Sequence, residues 1–199
     1  MKGSDKIIAY VNQFVHLNQE EELEFLSKLS FSTFKKGQFI LRKGEINKYQ
    51  NFILKGCLKT SHIDENGKER VLTFSIENWW SGDLYSFLSE KPTQYFIQAL
   101  EDTEVLRITK PNLEMVYSKI PQINIMFRIL LERAYIAQQE RIIGNISESA
   151  EEKYLKLIKK YPAFEQRIPL KQLALYLGIT PQFLSMVRNK IAHTPNFFK

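Results

Sequence analysis

The spacing of apolar residues changes character twice along this chain of 199 residues. Between residue 34 and about residue 109, short runs rich in β-branched and aromatic residues are separated by glycines, and five of the eight glycines lie in this window. Short apolar runs divided by turn residues are typical of strands, so the window predicts an all-β roll or barrel. Within it, the Asn-Gly pair of DENGKE, residues 64–69, predicts a hairpin.

Helical patterns flank the β-rich window on both sides. Residues 6–29 are helical in pattern, and Pro111 and Pro121 stand where further helices are expected to begin. The run from Ile123 to Ile146 has no internal proline and is long enough for about six turns. Residues 148–161 predict one more helix.

The long helix carries an apolar stripe that a small roll covers only in part. The stripe consists of Ile125, Met126, Ile129, Leu130, Ile136, Ala137, Ile142 and Ile143. A second copy of the same helix is the simplest cover, so the pattern indicates a homodimer. Arg133 and Glu140 interrupt the seam, which argues against a regular leucine zipper. Packing within one chain is the alternative.

Residues 170–191, LKQLALYLGITPQFLSMVRNKI, form two short helical stripes separated by Gly178. Glycine permits a left-handed turn at this point, Thr180 is a suitable N-cap, and Pro181 fits the first position of a helix. The spacing therefore predicts a helix-turn-helix, whose second helix enters the major groove in the usual docking mode. A helical hairpin without a role in DNA binding is the alternative.

The outward residues of the second helix are predicted to contact DNA. The predicted DNA-binding residues are Lys171, Thr180, Gln182, Ser185, Met186, Arg188, Asn189 and Lys190. The amides of Gln182 and Asn189 suit adenine, whereas Met186 offers only apolar contact, for example with a thymine methyl group. Lys171, Thr180 and Lys190 are placed to contact phosphates, which position the helix without reading sequence.

The charge distribution agrees with an anionic partner for the carboxyl-terminal part. Residues 1–146 hold 19 Lys and Arg against 18 Asp and Glu, a net charge of +1, and residues 147–199 hold 9 against 4, a net charge of +5. Clustered lysines gain free energy when they neutralise phosphates and release counterions. An ordinary solvated basic face explains the same charge without a partner.

Several classes of function are excluded or disfavoured by what the sequence lacks. Its one cysteine, Cys57, rules out an internal disulfide framework and any multi-cysteine metal site within one chain, and indicates the cytosol. No segment has the length and apolar character of a signal peptide or a membrane span, so we expect a soluble, cytoplasmic protein without a membrane partner. Catalytic motifs are absent, and His62 is the one histidine in the β-rich window, so an enzyme of the cupin type is not expected.

A glycine-punctuated β-roll, a long helix and a carboxyl-terminal helix-turn-helix, in this order, resemble the Crp/Fnr family of bacterial transcription regulators. The stretch IPLKQLALYLGITPQFLSMVRNKI is similar to members of the Bacteroidetes type. The resemblance covers nearly the whole chain and implies an α+β fold. It implies a cyclic-nucleotide-binding-like β-roll (a double-stranded β-helix) at residues 1–120, a dimerisation helix at 121–146 and a winged helix-turn-helix domain at 147–199, with the linker near residues 144–149.

Members of this family that bind cyclic nucleotides have a Gly-Glu pair at the start of a short helix and an Arg-Ser or Arg-Thr pair about ten residues later. In them the arginine binds the cyclic phosphate and the glutamate binds the ribose. By resemblance, Gly82 and Asp83 of SGDLYSF occupy the first pair of positions, and Thr93 and Gln94 the second. Residues 71–106 contain no arginine. The resemblance therefore implies a degenerate phosphate clamp, and cyclic AMP is not expected as the effector.

The roll is expected either to sense another small molecule or to act as a scaffold. The candidate effector-pocket residues are Gly82, Asp83, Leu84, Tyr85, Thr93 and Gln94. The aromatic residues near them, which either line an apolar pocket or belong to the core, are Trp79, Trp80, Tyr85, Phe87, Tyr95 and Phe96. One cysteine excludes the iron–sulfur cluster of the oxygen-sensing branch. A haem would depend on His16, His62 or Cys57 alone, so no cofactor is expected.

The sequence thus predicts a regulator that binds a near-palindromic site in double-stranded DNA as a homodimer, with a roll that senses an effector other than cyclic AMP or serves as a scaffold. If the protein activates transcription, RNA polymerase is a further partner, although no residue pattern marks a surface for it. At the place of Met186, relatives commonly carry an arginine that reads guanine, so the target sequence is expected to differ from theirs. The alternative is a ligand-binding or protein-interaction module without specific DNA binding.

Overall fold

The computed structural model describes residues 1–192, so the last seven residues of the predicted carboxyl-terminal domain lie outside the described part. Two compact units are formed. Residues 1–62 and 72–135 make up the first, and residues 63–71 together with residues 136–192 make up the second. None of the helices in the described range combines the length and apolar character that crossing a bilayer requires.

Two antiparallel sheets form the β-roll. Within residues 1–192 the strands are β1 (Ser30–Phe34), β2 (Phe39–Leu41), β3 (Tyr49–Lys55), β4 (Leu58–Ile63), β5 (Glu69–Ser75), β6 (Trp80–Ser81), β7 (Phe96–Ala99) and β8 (Thr103–Thr109). Their orders are β1-β8-β3-β6 in one sheet and β2-β7-β4-β5 in the other. Pairs such as β1 with β8 and β4 with β7 are antiparallel. The predicted α+β fold with an amino-terminal roll is confirmed.

Helices precede and follow the roll. In the described part of the chain they are α1 (Ser4–Val11), α2 (Gln19–Ser27), α3 (Leu84–Ser89), α4 (Lys110–Lys119), α5 (Pro121–Ser147), α6 (Ala150–Lys160), α7 (Phe164–Arg167), α8 (Leu170–Leu177) and α9 (Pro181–Ala192). Both proline-marked starts agree with the sequence: Pro121 begins α5, and Pro111 is in the first turn of α4. No strand is assigned between residues 136 and 192, so the wing of the predicted helix-turn-helix domain has no counterpart there.

The core is organised by the alternation of side chains along the central strands. On β3, Ile53 faces the cluster enclosed between the two sheets, which also contains Ile97 and Val105. Its neighbours Phe52 and Leu54 face the opposite side, where helices α1, α2 and α4 and the start of α5 pack. Because strand side chains alternate with a period of two, a strand covered on both faces has an unbroken apolar sequence. This accounts for the run FIL in the middle of β3.

The structure contains the hairpin predicted at DENGKE and divides the predicted amino-terminal helical region in two. Asp64 Oδ1 accepts hydrogen bonds from the amides of Asn66 and Lys68, at 3.0 and 2.9 Å, and Gly67 has a φ of +74°. The region predicted as helical from residue 6 to residue 29 is instead two helices, because Asn18 begins α2 with a capping box that Glu21 completes.

The predicted linker near residues 144–149 is shorter than expected. Helix α5 continues to Ser147, and the capping box of Ser149 with Glu152 begins α6. Only residues 148 and 149 separate the two helices.

Strands β1 and β6 and helix α7 were not predicted, since two of them have four residues or fewer and β1 contains Ser-Phe-Ser-Thr-Phe, a weak apolar pattern.

Candidate nucleic-acid interface

Helices α8 and α9 form the predicted helix-turn-helix. Gly178 ends α8 in the left-handed region, with a φ of +75°, and the Ile179 amide donates to the Ala174 carbonyl at 3.0 Å. Thr180 Oγ1 accepts a hydrogen bond from the Phe183 amide at 3.1 Å, which caps α9 as the sequence predicted. The apolar residues at the junction are buried, namely Leu173, Ala174, Leu177, Leu184 and Val187. The turn is therefore fixed by one glycine, one cap and a shared core.

The outward face of α9 presents most of the residues that were predicted to read bases. Gln182, Met186 and Asn189 are exposed, Ser185 is half-buried, and Met186 is 67% exposed. These positions lie opposite the buried Leu184, as the helical period requires. Lys171 and Thr180, the predicted phosphate contacts at the start of each helix, are also exposed. The uncharged residues that were predicted to contact bases thus share one surface of α9.

Arg188 has a partner inside its own domain. Its Nε lies 3.5 Å from Glu165 Oε1 of helix α7, and the same carboxylate oxygen accepts a hydrogen bond from the hydroxyl of Tyr154 on α6. Burial, assisted by the Glu165 carboxylate, raises the pKa of Tyr154. Tyr154 is 1% exposed, so this cluster ties α9 to the domain core. The sequence predicted Arg188 as a DNA contact on the flank of α9 and did not anticipate this ion pair.

Lys190 lies on the other flank of α9. Its Nζ is 2.8 Å from Glu151 Oε2, near the start of α6. The lysine side chain is 64% exposed, and exposed ion pairs contribute less than about 1 kcal/mol. A phosphate group can therefore compete with Glu151 for this ammonium at little cost.

The tip of the β4–β5 hairpin belongs to the same compact unit as the helix-turn-helix. Arg141 on α5 donates to the Val71 carbonyl at 3.3 Å, and its guanidinium lies 4.3 Å from the ring centroid of Tyr176 on α8. A side chain at Gly178 would come within 3.6 Å of an Arg70 nitrogen. No sequence signal pointed to these contacts, because the residues that meet are between 35 and about 110 positions apart.

The conformation of Gly178 gives a direct test of the turn. Alanine in a left-handed conformation is less stable than glycine, so Gly178→Ala is expected to lower the free energy of unfolding of this unit by about 1–2 kcal/mol. Gly144→Ala is the control for adding a methyl group without a left-handed backbone: alanine is favoured within helix α5, although its Cβ would lie 3.2 Å from the Glu148 carboxyl group, so we expect a smaller loss than at Gly178. Thermal unfolding of both variants measures the difference. Equal stability of the two would contradict the assigned turn.

The positions of the degenerate clamp in the roll satisfy each other. Thr93 Oγ1 donates to Asp83 Oδ2 at 2.6 Å, and Asp83 Oδ1 accepts from the Tyr85 amide at 3.1 Å, which caps helix α3. Thr93 is fully buried and Asp83 is 5% exposed. The side-chain amide of Asn47 donates to the Asp83 carbonyl at 3.0 Å. At the positions where the resemblance places ligand contacts, Asp83 and Thr93 are therefore hydrogen-bonded to each other.

Of the remaining candidate pocket residues, Tyr85 joins this network through its backbone amide rather than its side chain. The side chains of Leu84, Tyr85 and Gln94 are exposed. Gly82 lies against Gln50, where an added Cβ would come within 2.6 Å of the Gln50 side chain. In the described part of the chain, Nε2 of Gln50 is buried without a hydrogen-bond partner. The hydroxyl of Ser81, next to Gly82 in the chain, is likewise buried without a partner there.

The aromatic residues near the candidate pocket are distributed over several surroundings. Trp80 packs between Phe52 and Phe127, with ring centroids 5.4 and 5.0 Å away, and Phe87 belongs to the same core cluster. Phe96 instead contacts Phe39, and Tyr95 contacts His62, in both cases edge to face. Tyr85 is 60% exposed. They do not surround one common space, which favours the core interpretation.

Helix α5 leaves a long apolar seam uncovered. Every residue from 131 to 140 is exposed, so no side of the helix is buried there within residues 1–192. Ile129, Ile136 and Ile143 are spaced by seven residues. Ile136 is 57% and Ile143 is 62% exposed, and Ile146 extends the same row at 83%. A repeat of seven residues is the spacing that keeps one face of a helix directed at a parallel partner.

Known proteins resemble this chain in sequence. The family model of the cyclic nucleotide-binding domain matches residues 31–119. Electron transport regulator A of Shewanella oneidensis is 26% identical over 163 residues, which cover 75% of this chain and 64% of that protein. The anaerobic regulatory protein of Pasteurella multocida is 25% identical over 187 residues, 86% of this chain and 67% of that protein. The chain therefore spans about two thirds of the length of these relatives.

A solved structure shows the same fold. The c-di-GMP responsive global regulator CLP of Xanthomonas campestris superposes with a TM-score of 0.71, covering 88% of this chain and 92% of that one. The two sequences are 12% identical. At this level of identity the likeness concerns the fold, and it includes both the roll and the carboxyl-terminal helices.

Proposed function

Because this chain belongs to the Crp/Fnr family of transcription regulators, we propose that it binds duplex DNA as a homodimer and regulates transcription. The observation that carries the proposal is the helix-turn-helix, in which Gly178 and the Thr180 cap present α9 with its uncharged polar face outward. In this docking mode the amino-terminal part of the second helix contacts base edges in the major groove. Gln182 and Asn189 supply amides that match the N6 and N7 atoms of adenine.

Dimerisation is part of the proposal because one recognition helix covers only one half-site. Ile129, Ile136 and Ile143 form a seam that a second copy of α5 buries in a parallel pair. A two-fold symmetric dimer presents two copies of α9 to one face of the duplex, which requires a near-palindromic site. The relatives named above are regulators by name, which agrees with a regulator rather than an enzyme.

The roll is proposed to respond to an effector other than cyclic AMP, or to act as a scaffold. Thr93 stands where a phosphate-binding arginine is expected, and its hydroxyl is already bonded to Asp83. The unsatisfied amide of Gln50 beside Gly82 offers a donor to a small polar ligand. A ligand that binds two arrangements of the dimer with different affinity shifts their populations, and thereby the separation of the recognition helices. Recruitment of RNA polymerase stays a prediction.

The test is selection of bound sequences from a random duplex pool by the purified protein, at two salt concentrations and with or without cyclic AMP. We expect enrichment of a two-fold symmetric site with half-sites about one helical turn apart, and no change on addition of cyclic AMP. Absence of enrichment at low salt would contradict DNA binding by the free protein. Enrichment only with cyclic AMP would contradict the degenerate clamp.

Salt dependence then tests the phosphate contacts. Lys171→Ala removes one cation from each half of the dimer, so the slope of log affinity against log salt is expected to become shallower by about two. The enriched sequence itself should stay the same, since phosphate contacts position the helix without reading bases. Lys36→Ala, at an exposed lysine of the roll, is the control and should leave the slope unchanged. Equal slopes for the Lys171→Ala variant and the wild type would remove Lys171 from the interface.

A further inference from the structure

The reading face of α9 is uncharged. Within residues 181–192 the cationic side chains are Arg188 and Lys190, and both lie on the flanks, beside Glu165 and Glu151 respectively. Arginine is the usual reader of guanine through its O6 and N7 atoms. With Arg188 directed at α7, the exposed face has amides and apolar groups to offer to base edges.

Phe183 adds to this face a side chain that the sequence did not single out. It is 46% exposed and lies three positions before Met186, which is 67% exposed. Residues three apart on a helix are neighbours, so the two side chains form one apolar pair in the first two turns of α9. The Thr180 cap fixes the backbone of this segment through the Phe183 amide. The sequence feature that could have indicated this pair is the FxxM spacing directly after the Thr180 cap.

We propose that Phe183 and Met186 read the C5 methyl groups of thymine, so that each half-site requires thymine at the bases facing this pair. The inference rests on the proposed function and specifies what the same helix recognises. Thymine is the base that presents an apolar group in the major groove. The amides of Gln182 and Asn189, beside the pair on the same face, suit adenine, so the polar and apolar groups of α9 match the two bases of an A·T pair.

Replacement of thymine by deoxyuridine isolates the methyl group, since the two bases pair identically. The probe is the duplex enriched from the thymine-containing pool, resynthesised with uracil at each thymine of one half-site or of both. Burying a methyl-sized group corresponds to about a fourfold change in affinity. We therefore expect about a fourfold loss for each contacted methyl group, and larger losses when both half-sites are changed.

Variants assign the effect to the apolar pair. The combined substitution Phe183→Ala and Met186→Ala should bind thymine and uracil duplexes with equal affinity, close to that of the wild type for the uracil duplex. Leu23→Ala is the matched control, because Leu23 is a 63% exposed apolar residue of α2 in the other compact unit. This control should retain the full difference between the two probes.

The outcomes separate this inference from the proposed function. If the thymine duplex binds and uracil changes nothing, the methyl readout is wrong while DNA binding stands. If the double variant retains the thymine preference, other residues read the methyl group and the assignment to Phe183 and Met186 fails. If no duplex is enriched at low salt, both proposals fail, and the apolar pair then fits a protein surface better than a base edge.

Discussion

Ile136→Glu is expected to convert the protein to a monomer and to weaken binding of a two-half-site duplex by at least about 100-fold. Ile136 lies in the middle of the seven-residue row on α5 and is 57% exposed in the single chain. In a parallel pair the two copies of this residue face each other, so the substitution would place two carboxylates together in an apolar interface. Burying charge without a partner costs several kcal/mol.

The large loss of DNA affinity is expected because a monomer cannot bind both half-sites at once. Two recognition helices linked in one dimer bind with a gain of about 100-fold to 10,000-fold over either one alone. A monomer keeps its helix-turn-helix intact and loses this gain. The measurements are light scattering after size-exclusion chromatography and titration of a labelled duplex, at the same protein concentrations.

Leu23→Glu supplies the matched control for this prediction. Leu23 is 63% exposed on α2, so it tests the introduction of glutamate at an exposed leucine away from the seam. This variant should remain dimeric and bind DNA as the wild type does. If Ile136→Glu also stays dimeric, the seam on α5 is not the interface. A wild type that is already monomeric while bound to a palindromic site would contradict dimerisation altogether.

The elements that were predictable from the sequence are those with local signals. Gly178, Thr180 and Pro181 lie within four consecutive residues, and together they fix the end of α8 and the beginning of α9. The Asn-Gly pair likewise fixes the hairpin tip, where Asp64 Oδ1 binds two amides of the turn itself. Such signals act through backbone conformation and caps, so they do not depend on which distant segments pack nearby.

The contacts that were missed depend on tertiary packing. Arg188 and Glu165 are 23 positions apart, on helices separated by α8, and α7 is too short to show a helical period. The sequence placed Arg188 correctly on the flank of α9 but did not show which groups it meets there. The exposure of Phe183 was also not evident from the sequence, since an aromatic residue next to the buried Leu184 is expected to be buried itself.

The clamp positions, Asp83 and Thr93, were predicted in part. They were identified through the family resemblance, which located them ten residues apart. That the two side chains bond directly to each other became apparent only from the structure, where Thr93 Oγ1 donates to Asp83 Oδ2. The sequence shows that the arginine is missing. The structure adds that Thr93 and Asp83 form a hydrogen bond at these positions, and the contribution of this bond to stability can be measured.

Asp83→Ala is accordingly expected to destabilise the roll by about 2–4 kcal/mol. The substitution leaves the fully buried Thr93 hydroxyl without its acceptor, at a cost of about 1–3 kcal/mol, and removes the cap of α3, at about 1 kcal/mol. Asp102→Ala is the matched control: its carboxylate is 63% exposed, where it pairs with Lys35 and accepts from the Lys36 amide, so its loss should destabilise the roll less than the loss of Asp83. Denaturant unfolding of both variants gives the comparison.

Thr93→Val distinguishes a structural role for this hydrogen bond from a role in ligand binding. Valine keeps the shape of threonine and removes the hydroxyl, which donates to Asp83 and accepts from the Tyr95 amide. Because the bond to Asp83 is shared, the double variant with Asp83→Ala should be less destabilised than the sum of the two single changes. Strict additivity would mean that the two side chains do not stabilise each other. If cyclic AMP raises the unfolding temperature of the wild type, the bond between Asp83 and Thr93 must open to admit a phosphate. We expect no such rise, because opening it separates the buried Thr93 hydroxyl from its acceptor and offers the phosphate no arginine in exchange.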